Sequence, residues 1–130
     1  HPQPYSLKSR EKIRAVVGLC GPYHFDYKDD PLCADAFDQS VSYQHVMPYY
    51  FVEPNKIKHY LFTASNDQVV AKNNAIDFDH ILKKKGNHSQ MISIPRTGHI
   101  SILGSVSSLF SRYFQTKKQI LHVLNEALDT

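Results

Sequence analysis

Three short apolar runs, each closed by turn residues, constrain what this chain can fold into more than any other feature of its sequence. The first, Ile13-Arg14-Ala15-Val16-Val17-Gly18-Leu19, is rich in β-branched residues, nearly unbroken, and stops at Gly21-Pro22. Such a run suits a strand buried on both faces of a parallel sheet. The second, His59 to Ala64, stops at Ser65-Asn66-Asp67. The third, Gln90 to Ile94, is closed by Pro95, after which Thr97-Gly98 begins a turn carrying His99.

The intervening segments have the other period. From Asn73 to Lys85, Ile76, Phe78, Ile81 and Leu82 recur at helical spacing and Gly86 supplies a stop, which predicts an amphipathic helix. Beyond the third run, Val106, Leu109, Phe110 and Tyr113 predict a helical face. A second helix is predicted over Gln115 to Ala127, where Ile120, Leu121, Val123, Leu124, Ala127 and Leu128 form the apolar set. Strand, helix, strand, helix with connections of this length is the pattern of right-handed crossovers, so the predicted class is α/β with about three parallel strands. Asp26 to Asn55 departs from it. That stretch is rich in aromatics and prolines, among them Phe37, Tyr43, Tyr49, Tyr50, Phe51, Pro31, Pro48 and Pro54, with weak helical patches around Leu32 to Phe37 and Ser42 to Met47. It reads as a cap-like insertion over the carboxyl edge of the sheet, where such segments shape pockets.

Composition removes several alternatives. Eight tyrosines, seven phenylalanines and a net charge of only +3 argue against disorder, and no heptad or longer repeat occurs. Lys83-Lys84-Lys85 reads as a solvated helix end, and neither a zinc-finger spacing nor an RNA-recognition signature accompanies it, so no nucleic-acid partner is expected. No stretch approaches the ~18 apolar residues of a membrane span, and His1-Pro2-Gln3-Pro4 lacks the basic-then-apolar layout of a secretory signal. Cys20 and Cys33 have no metal or redox spacing and are read as free thiols of a reducing compartment, which points to the cytoplasm. The H-E-x-x-H pattern is absent, so His24, His45, His59, His80, His88 and His122 are read as surface or packing residues and no metal or other cofactor is expected. Copper ligation through His1 belongs to all-β scaffolds and opposes the α/β reading.

In a parallel α/β sheet, ligands bind outside the carboxyl ends of the strands, and Asp67 and His99 each follow such an end. A carboxylate that accepts the imidazole Nδ1 proton fixes the tautomer and stabilises the imidazolium formed when Nε2 takes a proton from a nucleophile. Histidine suits the base role because its ordinary pKa lies near neutrality. Position alone leaves two plainer roles open: Asp67 capping the following helix and His99 as a hydrogen-bonded loop residue.

The words around these residues resemble the C-terminal half of the α/β-hydrolase family. Gly18-Leu19-Cys20-Gly21-Pro22-Tyr23-His24-Phe25 is similar to the segment after the strand that follows the nucleophile in carboxylesterases, kynurenine formamidases and prenylcysteine methylesterase-like proteins. Those groups read Ser-Gly-x-Tyr-Asp there, so Cys20 stands in the place of a serine and His24-Phe25 in the place of the usual small-acid pair. Ser65-Asn66-Asp67-Gln68-Val69-Val70 resembles the motif of the triad acid, although Thr63-Ala64 stands where His-Gly is usual. Thr97-Gly98-His99-Ile100 resembles the turn that presents the triad histidine. The resemblance runs from about Ile13 to the last helix. It implies a Ser-Asp-His triad with His99 as base and Asp67 as its orienting acid; Asp26 is a second candidate acid, since some hydrolases carry theirs after the preceding strand.

No G-x-S-x-G occurs in the 130 residues, nor does the His-Gly-Gly loop that supplies an oxyanion-hole amide. The family order is Ser, Asp, His, so the resemblance places both elements upstream of His1. The chain is therefore expected to be a single partial domain, residues 1–130 with the insertion at 26–55, completed by an N-terminal part of the same hydrolase and inactive alone. The expected activity of the whole is cleavage of a small-molecule carboxylic ester, thioester or aryl amide, with Phe37 to Phe51 lining an acyl or aryl pocket. The competing expectation is a noncatalytic hydrolase-like interaction module. A small phosphate-binding domain using Lys83 to Lys85 is the weakest of the three readings.

Overall fold

The computed structural model describes residues 10–31, 33–107 and 115–129. Its centre is a three-stranded parallel sheet in the order β1 (Ala15–Leu19), β2 (Lys58–Ala64), β3 (Ser89–Ile94). The register pairs Val17 with Tyr60 on one side of β2 and Phe62 with Ile92 on the other. Among the described residues three α-helices follow the strands: α1 (Asn73–Lys84), α2 (His99–Gly104) and α3 (Thr116–Leu128).

Strand periodicity divides the core between the two faces. Tyr60, Phe62 and Ala64 of β2 pack with Ile94, Ile102, Val123 and Ala127 on the face covered by α2 and α3. Leu61 points the other way and packs with Phe78 and Leu82 of α1, flanked by Tyr23, Val52, Ile81 and Met91. β2 is therefore the strand buried on both faces, as its unbroken apolar run requires. For β1 the expectation of burial on both faces is corrected: it is only half-buried, with Val16 41% exposed, and among the described residues it lies at an edge of the sheet.

α1 buries Ala75, Phe78 and Leu82 at spacings of three and four, whereas Ile76 falls on the solvent side. Its end is a Schellman motif: Gly86 at φ 82° donates its N–H to the Lys83 carbonyl, and Asn87 donates to that of Leu82. Lys83, Lys84 and Lys85 sit in this last turn, where a helix favours cations, and Lys83 pairs with Asp79 one turn earlier at 2.8 Å. The lysine run is thus a helix end. α3 runs one residue later than its periodicity predicts at both ends, and leaves Leu121 and Leu128 exposed. Of the predicted face Val106, Leu109, Phe110 and Tyr113, the last three lie outside the described residues, as does Leu32, and Val106 lies in a turn. The helix that does follow β3 begins at His99, where a turn is predicted, because the Ser101 hydroxyl accepts the Gly98 N–H at 2.7 Å and secures the first turn.

Between β1 and β2, residues 26–55 form turns and two short 3₁₀ segments, Tyr43–His45 and Pro48–Phe51. Buried Tyr27 stacks on Phe37 with ring centroids 4.6 Å apart and donates its hydroxyl to the Val41 carbonyl, while Met47, just ahead of the second 3₁₀ segment, is also buried. A Cβ on Gly18 would collide with the hydroxyl of Tyr23, which lies against β1 and stacks on Phe78. No helix among the described residues is long and apolar enough to cross a membrane.

His59 shows how burial acts on stability. Its ring lies edge-on to Phe78, its Nε2 is buried without a hydrogen-bond partner among the described residues, and burial, reinforced by His88, lowers its pKa from 6.5. The unfolded chain then binds a proton that the folded chain resists. This contribution is intact above the unfolded value near 6.5 and is lost as pH falls through it towards the folded pKa. Urea titrations at a series of pH values are expected to show stability falling below about pH 6.5, with a smaller fall in His59→Phe; an unchanged slope in that variant contradicts the assignment.

Candidate active site

Asp67 and His99 project from neighbouring loops at the carboxyl end of the sheet. The loops are held together by their backbones: the Ser65 N–H donates to the Ile94 carbonyl and the Asn66 N–H to that of Thr97, at 3.1 and 2.8 Å. Thr97 is fully buried and donates its hydroxyl to the Ile94 carbonyl at 2.7 Å, fixing the turn in which Arg96 takes φ 59°. Gly98 passes the Asn66 carbonyl closely enough that a Cβ there would sit 3.4 Å from its oxygen, in van der Waals contact. His99 is the first residue of α2 and therefore has a defined exit direction.

The two side chains meet. His99 Nδ1 lies 3.0 Å from Asp67 Oδ2, and the aspartate side chain is only 3% exposed against 21% for the histidine. Asp67 Oδ1 accepts the backbone N–H groups of Val69 and Val70 at 2.8 and 2.9 Å. The carboxylate does not cap α1, whose N-cap is Lys72; one oxygen ties the turn ahead of that helix and the other holds the imidazole. Burial alone pushes the Asp67 pKa up. Hydrogen bonds from the Val70 amide, the His99 ring, the Val69 amide and the Cys20 thiol outweigh that push and hold it below the usual 3.8. A carboxylate kept ionised beside Nδ1 favours the tautomer with the proton there, which leaves Nε2 as an acceptor.

Asp26 is exposed and accepts the Lys28 N–H at 2.9 Å, so the histidine's carboxylate is Asp67. His24 is a packing residue of a connected kind. Its Nδ1 is 2.8 Å from Asp77, its Nε2 is 3.0 Å from the Tyr50 hydroxyl, and its ring stacks on Tyr49 at 3.9 Å. Tyr43, Tyr49 and Tyr50 gather round this histidine rather than lining the groove beside the site, and Phe51 is 58% exposed. Phe37 alone of the aromatics from Phe37 to Phe51 borders the apolar groove of about 310 Å³ beside the site, with Pro22, Phe25, Cys33, Val69 and Val70.

Cys20, which the end of the first apolar run places near the rim as a small residue buried behind the site, is brought up to this pair. It ends β1 at φ 50°, 5% exposed, with its N–H donated to the Phe62 carbonyl at 2.9 Å. Its Sγ, a carboxylate oxygen of Asp67 and a ring nitrogen of His99 all lie within 4.8 Å of one another. Burial, with the carboxylate of Asp67 adding to it, pushes the thiol pKa up to about 11. Neighbouring strands bring together residues far apart in the chain, and only the register of β1 on β2 reveals this one.

No protein-family model matches the chain, and no curated protein does. Solved structures match it. Esterase 2 of Thermogutta terrifontis phosphonylated by sarin superposes with a TM-score of 0.59 at 15% identity, over 97% of this chain and 47% of its own. The propionate-bound form of that thermophilic esterase gives 0.57 at 16% identity, over 87% and 42%. A truncated carbohydrate esterase from gut microbiota gives 0.53 at 18% identity, over 67% and 28%. The chain has part of an α/β-hydrolase fold. It spans less than half the length of these structures. Within this architecture, Asp67 follows just beyond the carboxyl end of β2 and His99 beyond that of β3.

Proposed function

We propose that this chain supplies the acid and base of a serine hydrolase that cleaves carboxylic esters, and by the same chemistry thioesters or aryl amides. The observation that carries the reading is the 3.0 Å contact between His99 Nδ1 and a nearly fully buried Asp67 carboxylate. In this mechanism Nε2 takes the proton of a serine as its oxygen attacks the acyl carbon, and the resulting imidazolium is stabilised by Asp67. The imidazolium then protonates the departing alcohol, and water attacks the acyl-enzyme by the same route. The serine and the oxyanion-hole donors belong to an N-terminal part of the same domain, with residues 26–55 as a cap-like insertion. Esterase neighbours, one of them described with propionate bound, support a small acyl group, and the groove between Phe25, Phe37 and Val70 is the place for it. Cys20 and Cys33, both free thiols, support a reducing, cytoplasmic compartment.

A fluorophosphonate that esterifies activated serines tests the reading on the full-length protein. Labelling that is lost in His99→Ala is the expected result. A folded protein that resists labelling overturns it and favours a noncatalytic interaction module.

A further inference from the structure

We propose that Cys20, Asp67 and His99 together bind one zinc ion, and that the ion holds the hydrolytic pair in a resting state. The binding site stands on geometry alone; the resting state rests on the serine-hydrolase reading. Tetrahedral zinc takes sulfur at about 2.3 Å and nitrogen or oxygen at about 2.0–2.1 Å, which sets its ligand atoms roughly 3.3–3.6 Å apart. The three donor atoms already lie within 4.8 Å of one another, with Nδ1 and Oδ2 at 3.0 Å, so closing the set takes a movement of about an ångström. Thiolate, carboxylate and imidazole form a mixed donor set that suits zinc better than magnesium or calcium, which take oxygen.

Charge favours the same ion. A thiolate and a carboxylate neutralise a divalent cation, so the buried complex carries no net charge. A cavity of about 10 Å³, the space of roughly one water molecule, lies against Cys20, Thr63, Ala64 and Asp67 and gives room for a fourth ligand. Lys72 borders that cavity from an exposed position, and its long stem lets the ammonium stay in water.

Binding needs no redox step. The Cys20 thiol gives its proton to solvent as the sulfur–zinc bond forms. Neutral His99 keeps one proton, but zinc on Nδ1 moves it to Nε2. Nε2 then donates where catalysis requires it to accept, so the serine keeps its proton. Removal of the ion returns the proton to Nδ1 and restores the base.

Cobalt(II), which reports thiolate ligation by charge-transfer absorption, tests the site when titrated into the full chain. One equivalent is expected to bind with that absorption, which zinc then displaces. The band is expected to vanish in Cys20→Ser, persist in Cys33→Ser, and need at least about tenfold more cobalt in His99→Gln. No thiolate band, or an equal band in Cys20→Ser, overturns the site. Should Cys20→Ser lose its native circular dichroism, the unsubstituted chain decides: zinc slows modification of Cys20 by a thiol reagent if the site exists, and leaves the rate unchanged if it does not. The two readings fail separately. A cobalt band in a protein that never labels with fluorophosphonate refutes the hydrolase and keeps the metal site, whereas labelling without a band does the reverse.

Discussion

On the proposed serine-hydrolase reading, Asp67→Asn is expected to lower kcat/KM for ester hydrolysis by the full-length protein about 10⁴-fold, while leaving the fold intact. The reason lies in the two oxygens of the carboxylate. An asparagine can keep its oxygen on the Val69 and Val70 amides, the job of Oδ1, and so preserve the turn before α1. Its NH₂ group then faces His99 Nδ1, which must accept rather than donate. The ring proton is driven to Nε2 and the base is lost by tautomer, with little change in position. His99→Ala removes the base altogether and is expected to cost at least as much, with KM much less affected than kcat because the groove of Phe25, Phe37 and Val70 is untouched. Asp26→Asn, which alters only an exposed turn around Lys28, is expected to leave the rate unchanged. Full activity in His99→Ala, or a large loss in Asp26→Asn, would remove the assignment.

How far the sequence reached follows from what local pattern can encode. The strands were legible because β-branched runs ending in Gly-Pro, Ser-Asn-Asp or Pro have few alternatives, and each lies within a residue or two of its predicted bounds. Helix α1 was legible down to its stop, since Gly86 marks a left-handed position by chemistry alone. The status of Val16 was not, because edge and centre are properties of the sheet and a β-branched run reads the same at either. Helix α2 was missed for a different reason: six residues are too short for a period to show, and the local bond from Gly98 to Ser101 starts it. The pair Asp67 and His99 could be named from their places after strands, but their contact is a distance. Cys20 could be placed near the rim by its position after a strand, but its approach to the pair is again a distance. It joins the pair only because β1 lies beside β2 in one register, so that the residue ending one strand faces the loop that leaves the next.

Phe62→Ala is expected to cost about 3–5 kcal/mol of folding stability, the largest effect of any truncation in the sheet. Phe62 is 1% exposed at the middle of β2, the central strand, between Leu19 of β1 and Ile92 of β3. Its ring shares a cluster with Tyr60, Ile94, Ile102 and Val123, so its removal opens a cavity bounded by two strands and two helices that cannot all collapse into it. A domain has only about 5–15 kcal/mol to lose, and about a fifth or more of that lies in this one side chain. Phe51→Ala is the matched comparison: the same atoms are removed from a 58% exposed position, and the expected change is about 0.5 kcal/mol or less. Paired urea titrations measure both. A cost below about 1 kcal/mol at Phe62 would mean that α2 and α3 do not close over that face of the sheet. The consequence reaches the site, because Asp67 leaves the end of the strand that carries Phe62 and His99 begins the helix whose Ile102 packs in the same cluster. Loosening this cluster separates the carboxylate from the imidazole before either loop unfolds, so hydrolysis in Phe62→Ala is expected to fall at urea concentrations where the circular dichroism of the helices is still native.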